Sequence, residues 1–102
     1  MANKTTLTAK EKFNALANAK HIFAFKEEAT PIQILEVIDT PDGTKAVVMT
    51  EDGKINGLFT NSASAKSALH EVVACFGDER PFVLIKIRET AKKQSVYYVE
   101  VV

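Results

Sequence analysis

The sequence predicts a mainly β domain: an OB-fold-like five-stranded barrel in the order β-β-β-α-β-β, with an additional N-terminal helix. Three observations carry this. Two strand-like runs, residues 32–39 and 44–50, are followed by a block from Asp52 to Phe76 that holds a Gly-containing turn, a short strand, a polar cap and one amphipathic helix. Two further strand-like runs, 82–90 and 95–102, follow that block. A single helix between the third and fourth of five strands is the chain order of an OB-fold barrel, a frequent reader of single-stranded nucleic acid.

The first element is helical. Thr8-Ala-Lys-Glu11 has the form of a capping box, and Phe13, Leu16, Ala17 and Lys20 recur at helical spacing, predicting a docked helix over residues 9–19. Residues 21–28 have no clear period, so a continuation of the helix and an edge strand both stand. Thr30-Pro31 then disfavours helix and opens the first strand. In it Ile32, Ile34 and Ile38 share one face, and Gln33, Leu35, Val37 and Asp39 the other. Thr40-Pro-Asp-Gly43 fits a type I turn, and Glu51-Asp-Gly53 a tight hairpin connection, so the first three strands form a meander.

Gly57 interrupts the short third strand, residues 54–59, and predicts a bulge or the bend of a small barrel. Asn61 or Ser62 caps the main helix, whose stripe is Ala65, Leu69, Val72, Val73 and Phe76, and Gly77 ends it. In the fourth strand Val83, Ile85 and Ile87 alternate with Leu84, Lys86 and Arg88, which puts both cations on one face. The fifth places Tyr97, Val99 and Val101 on one side and Val96, Tyr98 and Glu100 on the other.

Length and composition bound the function. A chain of 102 residues fits one domain, read as a helical extension over 1–29 and a barrel over 30–102. With 13 basic and 13 acidic residues the net charge is zero, so any nucleic-acid site must be a local patch. No membrane span and no secretory signal are apparent, which makes the cytoplasm the expected compartment. The lone Cys75 forms no internal disulfide and is expected to pack near the helix end. His21 and His70 stand far apart with no metal-ligand neighbour at a recognised spacing. Glu71, Asp78 and Glu79 look like a solvated face beside Arg80, and the four glycines build no phosphate loop. An enzyme, a cofactor and a small-molecule substrate are therefore not expected.

The residues of the type that bind a single strand are Lys54, Lys86, Arg88, Lys92 and Lys93 as cations, with Phe59 and Tyr98 for stacking and Asn56 beside them. The same residues also read as solvated turns, edge protection and core rim. From Ile32 onward the chain resembles the small single-stranded DNA-binding proteins encoded by bacteriophages. The resemblance rests on EDGKINGLFTNSASAKSALHEVVACFGDE, a VLIKI strand, the basic hairpin ETAKKQS and the closing strand VYYVEVV. Ala91 and Gln94 stand where that family has glycine.

The resemblance implies a barrel that coats single-stranded DNA during phage replication or recombination, in the host cytoplasm, without sequence preference or cofactor. The strand is expected to cross the second and third strands and the two hairpin loops. The alternatives are a phage accessory protein that binds another protein through the same barrel, and a homodimer paired through the edge at residues 99–102. Recruitment of partners through an acidic tail is not expected.

Overall fold

The computed structural model describes residues 8–102. Its elements are α1 (Ala9–Ala17), β1 (Lys20–His21), α2 (Ile22–Glu28), β2 (Ile32–Thr40), β3 (Gly43–Thr50), β4 (Ile55–Thr60), α3 (Ala63–Phe76), β5 (Phe82–Glu89) and β6 (Ser95–Val101). The strands form one curled half-barrel sheet in the order β1-β4-β3-β2-β5-β6. Neighbours are antiparallel except β1, which runs parallel to β4 through Lys20↔Leu58 and His21↔Phe59. The expectation of five strands is corrected to six, and the sheet stays open because β1 occupies the outer edge of β4. Residues 21–28 turn out to be both things the sequence left open: His21 ends the edge strand and its ring nitrogen accepts from the Phe23 N–H to cap α2.

Local chemistry sets the connections. Two residues, Pro41 and Asp42, join β2 to β3, where Thr40 and Gly43 face each other. The other two hairpins share one loop form. Thr50 N–H donates to the Lys54 carbonyl and Gly53 N–H to that of Thr50, and Thr90 and Lys93 repeat the pattern with Gln94 and Thr90. The third loop residue is left-handed in both, Gly53 at φ 83° and Lys93 at φ 62°. The Thr8–Glu11 capping box is present, with Glu11 N–H donating to Thr8 Oγ1 at 3.1 Å and Thr8 N–H to the Glu11 carboxylate at 3.1 Å.

The sheet is covered on both faces. Inside the curl, Ile32, Ile34, Ala46, Val48, Leu58, Val83 and Ile85 pack with Ile22 and Phe25 of α2 and Ala65 and Leu69 of α3. The segment before residue 30 thus supplies part of the main core. On the outer face a smaller cluster joins Ala15 and Leu16 of α1 to Leu35, Val47, Met49 and Ile55. Gly57 explains why α1 sits there. A Cβ on Gly57 would lie 1.9 Å from the Ala15 carbonyl oxygen, so the helix backbone rests directly on β4. The glycine is there for close approach, rather than for the bulge or bend read from the sequence.

The bulge lies elsewhere. The β2–β3 register passes from Ile34↔Val48 to Glu36↔Val47, leaving Leu35 as an extra residue. Leu35 joins the outer cluster while Val37 packs against the inner core, so the simple alternation read for this strand fails after Ile34. Two helix stripes are corrected as well. Because α1 touches the sheet through the small Ala15, Phe13 is left 71% exposed and Ala17 is exposed too. In α3, Ser62 is the cap and Ala65 and Leu69 are buried, but Val73 is exposed, and Cys75 lies on the surface instead of packing.

Candidate functional site

The β5–β6 hairpin gathers five of the eight site residues. Its register sets Lys86 opposite Tyr98 and Arg88 opposite Val96, so these residues share the outer face, while Val83, Ile85, Tyr97 and Val99 turn to the core. The Arg88 guanidinium stands 5.6 Å from the centre of the Tyr98 ring, a cation–π distance. Lys86 Nζ reaches the Glu100 carboxylate at 2.6 Å, and that hydrogen bond and its charge hold the lysine above its ordinary pKa. Lys92 and Lys93 occupy the exposed tip. Among the described residues no acidic side chain lies within 4 Å of the cationic groups of Arg88, Lys92 or Lys93.

The other three residues lie three strand positions away, on β4 and its hairpin. Lys54 and Asn56 flank the groove beside α1, together with Glu11, Asn14 and Asn18. Phe59 is half-buried opposite Lys45, and the His21 ring meets it edge-on at 6.2 Å. The Lys45 Nζ donates to the Leu16 carbonyl at the end of α1. The outer face of β3 and β4, the expected path for a nucleic-acid strand, therefore carries α1. The cations read as one patch fall into two separate groups.

Lys26 is the residue that sequence reasoning missed. It shares a depression of about 230 Å³ with Ala29 of the α2 C-cap, Leu84, Lys86, Ile87 and Tyr98. Its Nζ also lies 5.4 Å from the Phe23 ring. No periodicity marked α2 as a helix, so nothing in the sequence brought Lys26 to the β5–β6 face.

The remaining polar contacts hold elements together. His70 Nε2 on α3 lies 3.1 Å from Asp39 Oδ1 on β2, and Thr44 Oγ1 donates to the same oxygen at 3.0 Å. Hydrogen bonding by His70 first, then by Thr44, holds the Asp39 carboxyl below its ordinary pKa. In the β3–β4 loop the Thr50 hydroxyl, followed by the Lys54 backbone N–H, does the same for Asp52. No group of three or more potential metal ligands exists among the described residues, and no helix among them is long and apolar enough to cross a membrane.

No protein-family model, curated protein or solved structure matches this chain.

Proposed function

We propose that the chain binds single-stranded DNA without sequence preference, along the outer face and tip of the β5–β6 hairpin. The observation that carries this reading is the outer-face arrangement of Lys86, Arg88 and Tyr98, with Lys92 and Lys93 continuing to the tip. Cations of this kind exchange bound counterions for phosphates, and an aromatic ring with an arginine beside it offers a base a stacking surface. Zero net charge suits a local patch of this sort and disfavours indiscriminate duplex binding.

The topology supports the OB-type reading. The five strands after residue 30 neighbour one another in the order third, second, first, fourth, fifth, with α3 between the third and fourth. That is the neighbour order of a five-stranded Greek-key barrel opened between its third and fifth strands. The binding face differs from the one read from the sequence, because α1 covers β3 and β4. Coating of DNA during phage replication or recombination is the role that fits such a site.

The test is a fluorescence titration with oligo-dT over a range of salt. The paired change Lys92→Ala and Lys93→Ala is expected to lower affinity and to flatten the log–log salt slope by about 0.7 for each lost phosphate contact. Tyr98→Ala is expected to weaken binding by about 1–3 kcal/mol through lost stacking. An unchanged slope in the lysine variant excludes the tip. Absence of any oligo-dT binding by the native chain would favour the protein-binding alternative.

A further inference from the structure

We propose that the notch between the C-terminal end of α2 and the free edge of β5 holds one unstacked base of the bound strand, with Lys26 on a phosphate beside it. This rests on the single-strand reading above and adds a base-holding site and a residue to it.

On its β2 side, β5 outruns its partner. Their pairing ends at Ile32↔Val83. Continued in the same register, Thr30 would face Ile85 and Glu28 would face Ile87. Instead α2 runs to Glu28, Ala29 turns left-handed at φ 50°, and Thr30 N–H donates to the Phe25 carbonyl at 3.3 Å. Val102 N–H donates to the Phe82 carbonyl at 2.9 Å, so the even-numbered residues of β5 turn their peptide groups toward β6. Ile85 and Ile87 therefore turn theirs toward the side where β2 stops. Neither has a backbone partner there among the described residues. Ile85 is 2% exposed and Ile87 half-buried, and peptide groups sheltered from water are costly to leave unpaired.

The lining chemistry selects the ligand. The depression at this edge, about 230 Å³, is lined by Lys26, Ala29, Leu84, Lys86, Tyr98 and the two isoleucines, with no carboxylate among them. Two cations and no acid favour an anionic ligand. Apolar walls, a tyrosine ring and a peptide N–H beside a peptide C=O suit the flat base that a nucleotide phosphate carries. Every base sets a donor next to an acceptor on its Watson–Crick edge, so the peptide pattern of Ile87 fits any of them. That agrees with binding without sequence preference, and a single strand offers the edge with no pair to break. Lys26 Nζ lies 3.4 Å from the Glu27 carboxylate, and Lys86 Nζ 2.6 Å from that of Glu100. Ion pairs as exposed as these are weak in water, so both lysines can exchange their partner for a phosphate.

Amide exchange followed residue by residue in the full chain tests the notch. Without DNA, the Ile87 N–H is expected to exchange faster than those of Lys86 and Arg88, which lie in the β5–β6 ladder. Oligo-dT is expected to slow exchange at Ile87, and an abasic oligomer of the same length is expected not to. Lys26→Ala should lower oligo-dT affinity and flatten the log–log salt slope by about 0.7, and Lys26→Arg should restore both, with the far-ultraviolet circular dichroism unchanged in each. Oligo-dT binding that leaves Ile87 exchange untouched, or that is indifferent to Lys26→Ala, overturns the notch and leaves the single-strand reading standing. Equal protection by the abasic oligomer would put a phosphate there in place of a base, and protection by poly-glutamate alone would put an acidic peptide there. Either result overturns the proposal. Absence of any oligo-dT binding removes the notch and the single-strand reading together.

Discussion

Replacing Gly57 by alanine tests how the outer face is built. The added Cβ would lie 1.9 Å from the Ala15 carbonyl oxygen, 2.7 Å from the Ala15 carbonyl carbon and 3.0 Å from the Ala19 Cα. Ordinary contact begins at 3.4 Å, so α1 must retreat by 3.4 − 1.9 = 1.5 Å or detach. Every clashing atom is backbone, so no rotamer change relieves the overlap. A retreat of that size opens a gap over Val47 and Leu35 and loosens Ala15 and Leu16. Overpacking of a packed site costs about 1–3 kcal/mol, a large share of the roughly 5–15 kcal/mol that holds a domain folded.

In urea, with a slope of about 2 kcal/mol/M, a 2 kcal/mol loss lowers the unfolding midpoint by roughly 1 M. Amide exchange in α1 should accelerate more than in β2 or β5, since the apolar contacts of α1 are with the outer cluster and not the main core. Adding Ala15→Gly should not restore stability, because the clash is with backbone. A midpoint within roughly 0.2 M of the native one, with α1 still protected, would refute the close-approach account.

Three further outcomes follow from named contacts. Lys93 is left-handed at φ 62°, where the cost to a non-glycine residue is about 1–2 kcal/mol. Lys93→Gly should therefore raise the denaturation midpoint, as a net gain below about 1 kcal/mol once the greater freedom of glycine in the unfolded chain is subtracted. The Asp39 pKa is depressed in the folded state from its ordinary 3.8, so its contribution is complete above that pH and is lost as pH falls through the lower native value. Stability curves of the native chain and Asp39→Asn should thus converge in acid below pH 3.8, and a constant separation down to the lowest pH would contradict the His70 and Thr44 contacts. Glu100→Gln frees Lys86 from its 2.6 Å partner and should steepen the salt slope of oligo-dT binding by about 0.7, whereas no change would place Lys86 outside the DNA path.

Much of the architecture was legible from local chemistry. The Thr8–Glu11 box, the Pro41-Asp42 turn, the Gly53 loop, the Ser62 cap and the Gly77 stop act within a few residues, so their meaning survives without tertiary context. Alternation likewise placed Lys86 and Arg88 on one face of their strand and Tyr98 beside Val96 and Glu100 on its own, and the β5–β6 register brought the two faces together. Other features could not be read because they depend on contacts distant in sequence. Leu35 is an extra residue only relative to β3, and Phe13 is exposed only because Gly57 admits Ala15 instead. Lys26 joins the β5–β6 face through α2, a helix with no periodic signal.

By itself the sequence determined the order of elements, their turns and caps, and the presence of cations and an aromatic on the last hairpin, because these follow from short-range geometry and period-two alternation. Tertiary structure alone decided that the sheet has six strands and stays open, that α1 lies over β3 and β4, and that the candidate cations fall into two groups. The physical reason is that closure, coverage and clustering are set by which surfaces bury one another, and those pairings join residues tens of positions apart.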